Sequence, residues 1–93
     1  MFVTEQVTVG TTAVILLERS PDRNAYIIQY KGDHHVYIKA DADISVTNGF
    51  EILTGVPYYF SKLEAQDVYT QVYAISDTAA QIVTWRTEIT GGK

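Results

Sequence analysis

The sequence predicts an all-β fold, an antiparallel β-sandwich or jelly-roll-like small barrel of about seven to eight strands. Val, Ile, Thr and aromatic residues concentrate in short runs, as they do in strands. Gly, Pro, Asn and Asp separate these runs at intervals of roughly 8 to 12 residues. The one segment with helical propensity, residues 61–67, is too short for more than a turn or two, so we expect a loop there.

The clearest β signal is near the C-terminus. Residues 68–88 form two runs of strand-forming residues on either side of a short polar segment, which predicts a terminal β-hairpin. We expect Val83 and the single Trp, Trp85, to face the core, because one Trp buries a large apolar area. In the first run, the inner layer is formed either by Val72 and Ala74 or by Tyr73 and Ile75.

The N-terminal half also reads as strands. Residues 3–9 alternate in part and end at Gly10, and residues 1–9 are expected to form an extended arm or an edge strand. Residues 12–18 are almost continuously apolar, so we expect both faces of this segment to be covered. A short buried helix has the same pattern, but the β-branched content favours a strand.

A second hairpin is predicted further along the chain. Residues 20–24 have the composition of a turn, and the strand at residues 25–30 places Tyr26, Ile28 and Tyr30 on one face. The segment 31–34 is then expected to turn the chain directly into a partner strand at residues 36–39.

The middle of the chain is less regular. Residues 44–47 resemble a short strand, and Asn48-Gly49 is a strong turn signal before strands at residues 50–53 and 56–60. Pro57 cannot donate a backbone hydrogen bond, so the last of these strands is expected to lie at a sheet edge or to begin near that point. Residues 90–93 are expected to be a frayed tail.

Length and composition exclude several classes of function. The 93 residues predict a single domain with a small core, and such domains often gain stability from oligomerisation. Thiol chemistry and disulfides are excluded because there is no Cys. The net charge of −4 argues against binding nucleic acid through a basic patch, and no apolar run approaches the roughly 20 residues of a membrane span. The first residues lack a secretory signal pattern.

Four phrases of the sequence resemble small virion proteins of tailed bacteriophages. They lie at residues 23–30, 36–38, 48–52 and 72–76, and the similarity extends from Arg23 to about Glu88. These virion proteins are compact sandwich or jelly-roll-like domains that decorate or cement the capsid or form head fibres. The resemblance implies a non-enzymatic capsid decoration protein in the virion, made in the host cytoplasm. It implies the major capsid protein or another virion protein as partner. A homo-oligomer, with a trimer as one example, is expected because symmetric assembly would hide edge strands and enlarge the buried area.

The sequence contains little that indicates a catalytic site. There is no Gly-x-Ser-x-Gly elbow for a hydrolase, and the six Gly residues form no phosphate-binding loop. The best carboxylate pair is Asp41 with Asp43, which we interpret as a solvated loop. We therefore expect no enzyme activity, no catalytic residue and no cofactor.

Two patterns have some resemblance to metal sites. Asp41, Asp43 and Ser45 match the start of a calcium loop, but Val46 and Ile52 occupy the positions that need Gly and Glu. His34 and His35 with Asp33 could contribute ligands on an oligomer axis, although successive strand residues point in opposite directions. A solvated turn is the preferred interpretation, so no metal ligand is predicted.

The aromatic residues favour a binding function instead. Seven Tyr, three Phe and one Trp exceed what a small core readily hides. Tyr58, Tyr59 and Phe60 must alternate in a strand, so at least one ring leaves the core face. We expect this run, with Phe2 and Val3, to contact a neighbouring subunit or the capsid shell.

Two alternatives involve a different partner. A carbohydrate-binding module would bind glycans through exposed rings and through carboxylates such as Asp41, Asp43 or Asp77. An oligomerisation module of a tail or fibre would use its sheet edges. Neither nucleic acid nor membrane is expected as a partner.

Overall fold

The structure, a computed structural model, describes residues 2–21, 23–61 and 70–89. This part of the chain forms eight strands and no helix, which confirms the predicted all-β class. The strands are β1 (Phe2–Val9), β2 (Val14–Leu17), β3 (Arg23–Tyr30), β4 (Val36–Lys39), β5 (Phe50–Ile52), β6 (Tyr58–Ser61), β7 (Val72–Ser76) and β8 (Gln81–Ile89). Within these ranges there is no helix long and apolar enough to span a membrane.

The eight strands form two antiparallel sheets of four. Sheet A has the order β1-β8-β3-β6, and sheet B has the order β2-β7-β4-β5. Four of the strand pairs are those of one long hairpin, namely β1 with β8, β2 with β7, β3 with β6 and β4 with β5. Two further pairs, β3 with β8 and β4 with β7, close this hairpin into a roll. This is the strand arrangement of a jelly roll.

Both predicted hairpins are wrong. In the first, β7 and β8 follow each other in sequence, yet β7 lies in sheet B and β8 in sheet A. In the second, β3 and β4 are likewise divided between sheets A and B. The short connections cross from one sheet to the other, so each of these strands pairs with strands that are distant in sequence, as in a jelly roll. In the first crossing, Ala80 adopts a φ of 61°, a left-handed conformation that is uncommon for Ala.

The core lies between the sheets and receives side chains from both. Its members are Val9, Leu16, Leu17, Tyr26, Ile28, Tyr30, Val36, Ile38, Ile52, Val72, Ala74 and Val83. Of the two predicted faces of β7, the one with Val72 and Ala74 is inward. Trp85 is half-buried against this cluster, as expected, and its indole N–H has no hydrogen-bond partner among the described residues. Trp85 therefore contributes through packing.

One apolar segment does not have both faces covered, contrary to the sequence prediction. Ile15 on β2 is 40% exposed, whereas Leu16 and Leu17 are both buried. The pairing with β7 shifts between Ile15 and Leu17, so β2 contains a bulge. Because a bulge turns two successive side chains toward the same side, an almost continuous apolar run is compatible with an edge strand.

The predicted strand at residues 44–47 is a turn. Ser45 accepts backbone hydrogen bonds from Asn48 (3.3 Å) and Gly49 (3.1 Å), and its own N–H donates to the Asn48 side chain (2.7 Å). Ile44 is buried nonetheless, at 5% exposure. The Asn48-Gly49 turn is thus present, although the Gly with positive φ among the described residues is Gly55. Local hydrogen bonds of Ser and Asn side chains compete here with strand formation.

The prediction for Pro57 is confirmed. Strand β6 begins at Tyr58, immediately after Pro57, and lies at the edge of sheet A. The loop predicted at residues 61–67 falls outside the described residues except for Ser61, which ends β6, and the tail at residues 90–93 also falls outside them.

Tyr30 joins the core to the loop that leaves sheet A. Its side chain is 1% exposed, and its hydroxyl donates to Oε1 of Gln81 at 2.5 Å and accepts from the N–H of His34 at 2.9 Å. Gly32 passes directly over this ring. A Cβ at Gly32 would lie 2.4 Å from the Tyr30 hydroxyl, whereas a Cβ at Gly10 would meet nothing within 4 Å.

We predict that Ile28→Ala lowers the free energy of unfolding by about 2–5 kcal/mol, because Ile28 is fully buried between the sheets and the truncation leaves a cavity. Ile82→Ala is the matched control, since Ile82 is 47% exposed, and should change it by less than about 0.5 kcal/mol. Chemical denaturation measures both values. Similar costs at the two positions would contradict the assigned core.

We also predict that Gly32→Ala destabilises the protein by about 1–3 kcal/mol, because the added methyl group displaces the Tyr30 ring from a filled core. Gly10→Ala should change the stability by less than about 1 kcal/mol. Thermal denaturation of the two variants compares them, and equal melting temperatures would argue against the close approach at Gly32.

Candidate functional site

One side of the sandwich carries several exposed apolar residues. Strand β5 is the edge of sheet B and β6 is the edge of sheet A, and only residues 53–57 connect them, so the two edges lie on the same side. Four side chains of this stretch are well exposed, namely Phe50 (56%), Leu53 (55%), Val56 (39%) and Tyr59 (55%). We call these four residues the β5–β6 surface. Exposed apolar residues grouped in this way are typical of interaction sites.

The three aromatic residues of β6 differ in their environments, as period-two alternation requires. Phe60 is half-buried and stacks on Tyr26, with ring centroids 4.8 Å apart. Tyr58 is also half-buried, and its hydroxyl accepts a hydrogen bond from the N–H of Leu53 at 3.0 Å. Tyr59 points to the opposite face. Of the three rings, Tyr59 is therefore the one available to a partner.

A groove opens beside Phe50, between the two sheet edges. It has a volume of about 340 Å³, and Phe50 and Phe60 line it from the two sheets together with Tyr26, Ile38 and Val72. The Phe50 ring makes an edge-to-face contact with Tyr58, with centroids 5.7 Å apart. This contact holds the Phe50 ring at the mouth of the groove.

Phe2 and Val3 do not lie near the β6 aromatic residues. They belong to β1, at the opposite edge of sheet A, with β8 and β3 between. At the usual spacing between neighbouring strands, the two edges are about 14 Å apart. Val3 is half-buried and pairs with Thr87, while the side chain of Phe2 lies outside the described part of the chain. The five residues predicted from the sequence thus belong to two separate edges.

The structure gives His34 and His35 different surroundings. The ring Nδ1 of His35 lies 2.5 Å from Oε2 of Glu51, and its backbone N–H donates to Asp77 at 3.3 Å. The hydrogen bond with Glu51 and the negative charge of Glu51 raise the pKa of His35. Within the described ranges, no group of three or more His, Asp or Glu side chains is close enough together to hold a metal ion.

The carboxylates considered for glycan binding do not converge. Asp43 pairs with Lys39 at 2.9 Å, and the exposed Asp41 lies in the same loop after β4. Asp77 follows β7 and accepts hydrogen bonds from Thr78 and from the N–H of His35. Strands β4 and β7 are antiparallel, and Val36 at the start of β4 pairs with Ser76 at the end of β7. Asp77 therefore lies at the opposite end of sheet B from Asp41 and Asp43.

Arg23 is a buried cation that the sequence analysis did not identify as important. Its side chain is 2% exposed, and its guanidinium donates to the carbonyl oxygens of Glu18 (3.0 Å) and Thr70 (2.6 Å). Burial lowers the pKa of Arg23, while Tyr26, whose ring centroid is 5.3 Å from the guanidinium, raises it. These contacts tie the start of β3 to the segments before β3 and before β7. We interpret Arg23 as a structural residue.

Sequence reasoning also missed Phe50, Leu53 and Val56. Phe50 and Ile52 have the same orientation in β5, yet Ile52 is 1% exposed and Phe50 is 56% exposed. Alternation alone could not separate them, because the difference depends on where the opposite sheet ends. The signal available was the mixture of apolar and turn residues at positions 53–57, which is typical of a connection at the surface.

We predict that the ion pair of His35 makes stability depend on pH. The folded-state pKa of His35 is above its ordinary value of 6.5, so the stabilisation is fully present below pH 6.5 and is lost as the pH rises through the raised pKa. The effect should be small because His35 is exposed. NMR titration of the His35 ring measures its pKa, and denaturation at a series of pH values measures the stability.

Glu51→Gln is the control for this ion pair. It removes the charge that raises the pKa of His35, so the titration should move toward the ordinary value and the stability profile should flatten. A titration of His35 that is the same in Glu51→Gln as in the original protein would show that the pair does not form in solution.

Comparison with known proteins relates this chain to others by its fold. No known protein family matches the sequence, and no curated protein is significantly similar to it. A solved structure with a similar fold comes from Bacillus endospore appendages, which are described as a novel family of disulfide-linked pili. The sequences are 16% identical, and the match covers 97% of this chain and 87% of that one with a TM-score of 0.54. At this identity the similarity shows that the two chains share a fold.

Proposed function

We propose that this chain is a non-enzymatic structural subunit that binds neighbouring protein subunits through the β5–β6 surface. The observation that carries the proposal is the exposure of Phe50, Leu53, Val56 and Tyr59 on one side of a small sandwich. Burying such side chains against a partner gives about 25 cal/mol per Å² of apolar surface removed from water. A small domain can gain in this way the stability that its own core does not provide.

The strand edges on the same side support this role. Among the described residues, β5 and β6 each pair with one neighbouring strand, so each presents backbone groups on its other side. A partner strand could pair with these groups while apolar side chains pack beside it. Backbone pairing and apolar burial together suit a protein partner. If the partner is present in many identical copies, the same contact can repeat across the assembly.

More specifically, we propose that the protein decorates a bacteriophage capsid. The phrases at residues 23–30, 36–38, 48–52 and 72–76 support it, because they resemble small virion proteins of tailed phages. In this role many copies bind the assembled shell and not its separate parts, so that each bound copy stabilises the assembled state. The partner would be the major capsid protein or another virion protein, and the protein would be located in the virion.

A second candidate is a subunit of a pilus-like or fibre-like polymer. The fold that it shares with the endospore pilus protein favours this candidate. These 93 residues contain no Cys, so the links between subunits would be non-covalent here, unlike those of the disulfide-linked pili. The two candidates differ in what the purified protein does alone, because a polymer subunit assembles without a shell.

We predict that Phe50→Ser with Tyr59→Ser removes binding to neighbouring subunits. The measurement is saturation binding of purified protein to undecorated tailed-phage shells, together with light scattering of the protein alone. The original protein should saturate the shells at a fixed ratio and raise the temperature at which they break. The double variant should lose at least about tenfold in affinity, equivalent to about 1.4 kcal/mol.

The matched control for this experiment is Ile15→Ser, which changes an exposed apolar residue of β2, at the other edge of sheet B. It should leave binding unchanged. Self-assembly without shells, lost in the double variant, would favour the polymer. Equal loss in the control and the double variant, or a monomer that binds no shell, would contradict the proposal.

A further inference from the structure

The outer face of sheet A has a different chemistry from the β5–β6 surface. The strand register places side chains of three strands in a row across this face, where Gln6 on β1 pairs with Thr84 on β8 and Thr84 pairs with Gln29 on β3. Each is directed away from the core, because the residues that alternate with Thr84 and Gln29, such as Val83 and Ile28, are fully buried. Neighbouring side chains in such a row are about 5 Å apart.

A second row runs beside the first. It consists of Thr4 on β1, Arg86 on β8, Ile27 on β3 and Tyr59 on β6, which are successive cross-strand partners. The first row offers amide and hydroxyl groups, and the second adds an aliphatic side chain and an aromatic ring. Together they give a flat sheet face both hydrogen-bonding groups and apolar surface.

Two hollows occupy this face and adjoin at its centre. The larger has a volume of about 420 Å³ and the smaller about 240 Å³, and Gln29 and Thr84 line both. Gln6 lines the larger hollow, while Thr4 and Ile27 line the smaller. A ligand longer than one hollow could therefore lie along the face and contact Gln29 and Thr84 near its middle.

The polar side chains at this centre are available to a ligand. Neither the amides of Gln6 and Gln29 nor the hydroxyls of Thr4 and Thr84 make a side-chain hydrogen bond to another described residue. Each amide has two donor hydrogens and an acceptor oxygen, and each hydroxyl can donate and accept. These groups both donate and accept hydrogen bonds. They therefore suit a ligand whose groups also donate and accept hydrogen bonds, such as the hydroxyls of a sugar.

The charges on the face favour a neutral ligand. Among the described residues that line the two hollows, there is no Asp or Glu. The cations Lys31 and Arg86 line one hollow each, whereas the shared residues are uncharged. A nucleic acid would require a row of cations, and a protein partner would require a larger apolar centre.

We propose that the outer face of sheet A binds a neutral oligosaccharide along the Gln6–Thr84–Gln29 row. Amide and hydroxyl groups of the row exchange hydrogen bonds with the sugar hydroxyls, and Ile27 packs against the C–H face of a ring. The carboxylates Asp41, Asp43 and Asp77 have no part in this site. The Gln6–Thr84–Gln29 row contains no residue of the β5–β6 surface, and Tyr59 of that surface lies in the neighbouring row, so one chain can bind a glycan and a subunit through different residues.

The test is a titration of the isotopically labelled full chain with neutral hexasaccharides of glucose, mannose and N-acetylglucosamine, followed by NMR up to millimolar concentrations. At least one sugar should shift the resonances of Gln6, Gln29 and Thr84 in a saturable manner. The double variant Gln6→Ala with Gln29→Ala should weaken binding about thirtyfold, because each substitution removes a hydrogen bond to the sugar. Thr84→Val should weaken it severalfold.

Matched variants outside the face are the controls. Gln71→Ala and Thr11→Val change the same residue types elsewhere and should leave sugar affinity unchanged, with melting temperatures confirming that all variants fold. Tyr59 is left unaltered, so that a failure here is distinct from a failure of subunit binding. The proposal is overturned if no sugar binds, if the two Gln substitutions have no effect, or if this face shifts only on addition of phage shells.

Discussion

The packing of two four-stranded sheets against each other is the constraint on which the rest of the structure depends. Each strand has one face that must be buried in a single narrow space, and this space is filled by side chains such as Ile28 and Val83, both fully buried. With so few residues, the core tolerates neither a void nor an extra group, as the close approach of Gly32 to Tyr30 illustrates. Once the inward set of side chains is fixed, the outward set is fixed as well.

This division produces two surfaces of different chemistry. Strand β6 belongs to both, because Tyr59 points outward at the edge where β5 and β6 meet. On the β5–β6 surface, apolar side chains and open strand edges suit a protein partner. On the outer face of sheet A, the amides and hydroxyls around Thr84 suit a hydroxyl-rich ligand. A subunit that is held in an assembly by one surface can present the other to solvent.

The sequence indicated part of the β5–β6 surface and none of the polar row. Tyr58, Tyr59 and Phe60 are consecutive, so alternation alone requires that one ring leave the core face, and Pro57 indicated an edge. Gln6, Gln29 and Thr84, by contrast, are widely separated in the chain. Their proximity depends on the order β1-β8-β3, which combines strands from both ends of the sequence.

By itself, the sequence determined where most strands form and which residues of a strand share a face. Those properties depend on neighbouring residues, as in β3, where Tyr26, Ile28 and Tyr30 are buried in alternation. Only the tertiary structure decided which strands pair. The short segments after β3 and after β7 have the composition of hairpin turns, yet each crosses between sheets. Turn residues allow the chain to reverse, but the choice of partner strand depends on contacts between distant segments, which local chemistry does not encode.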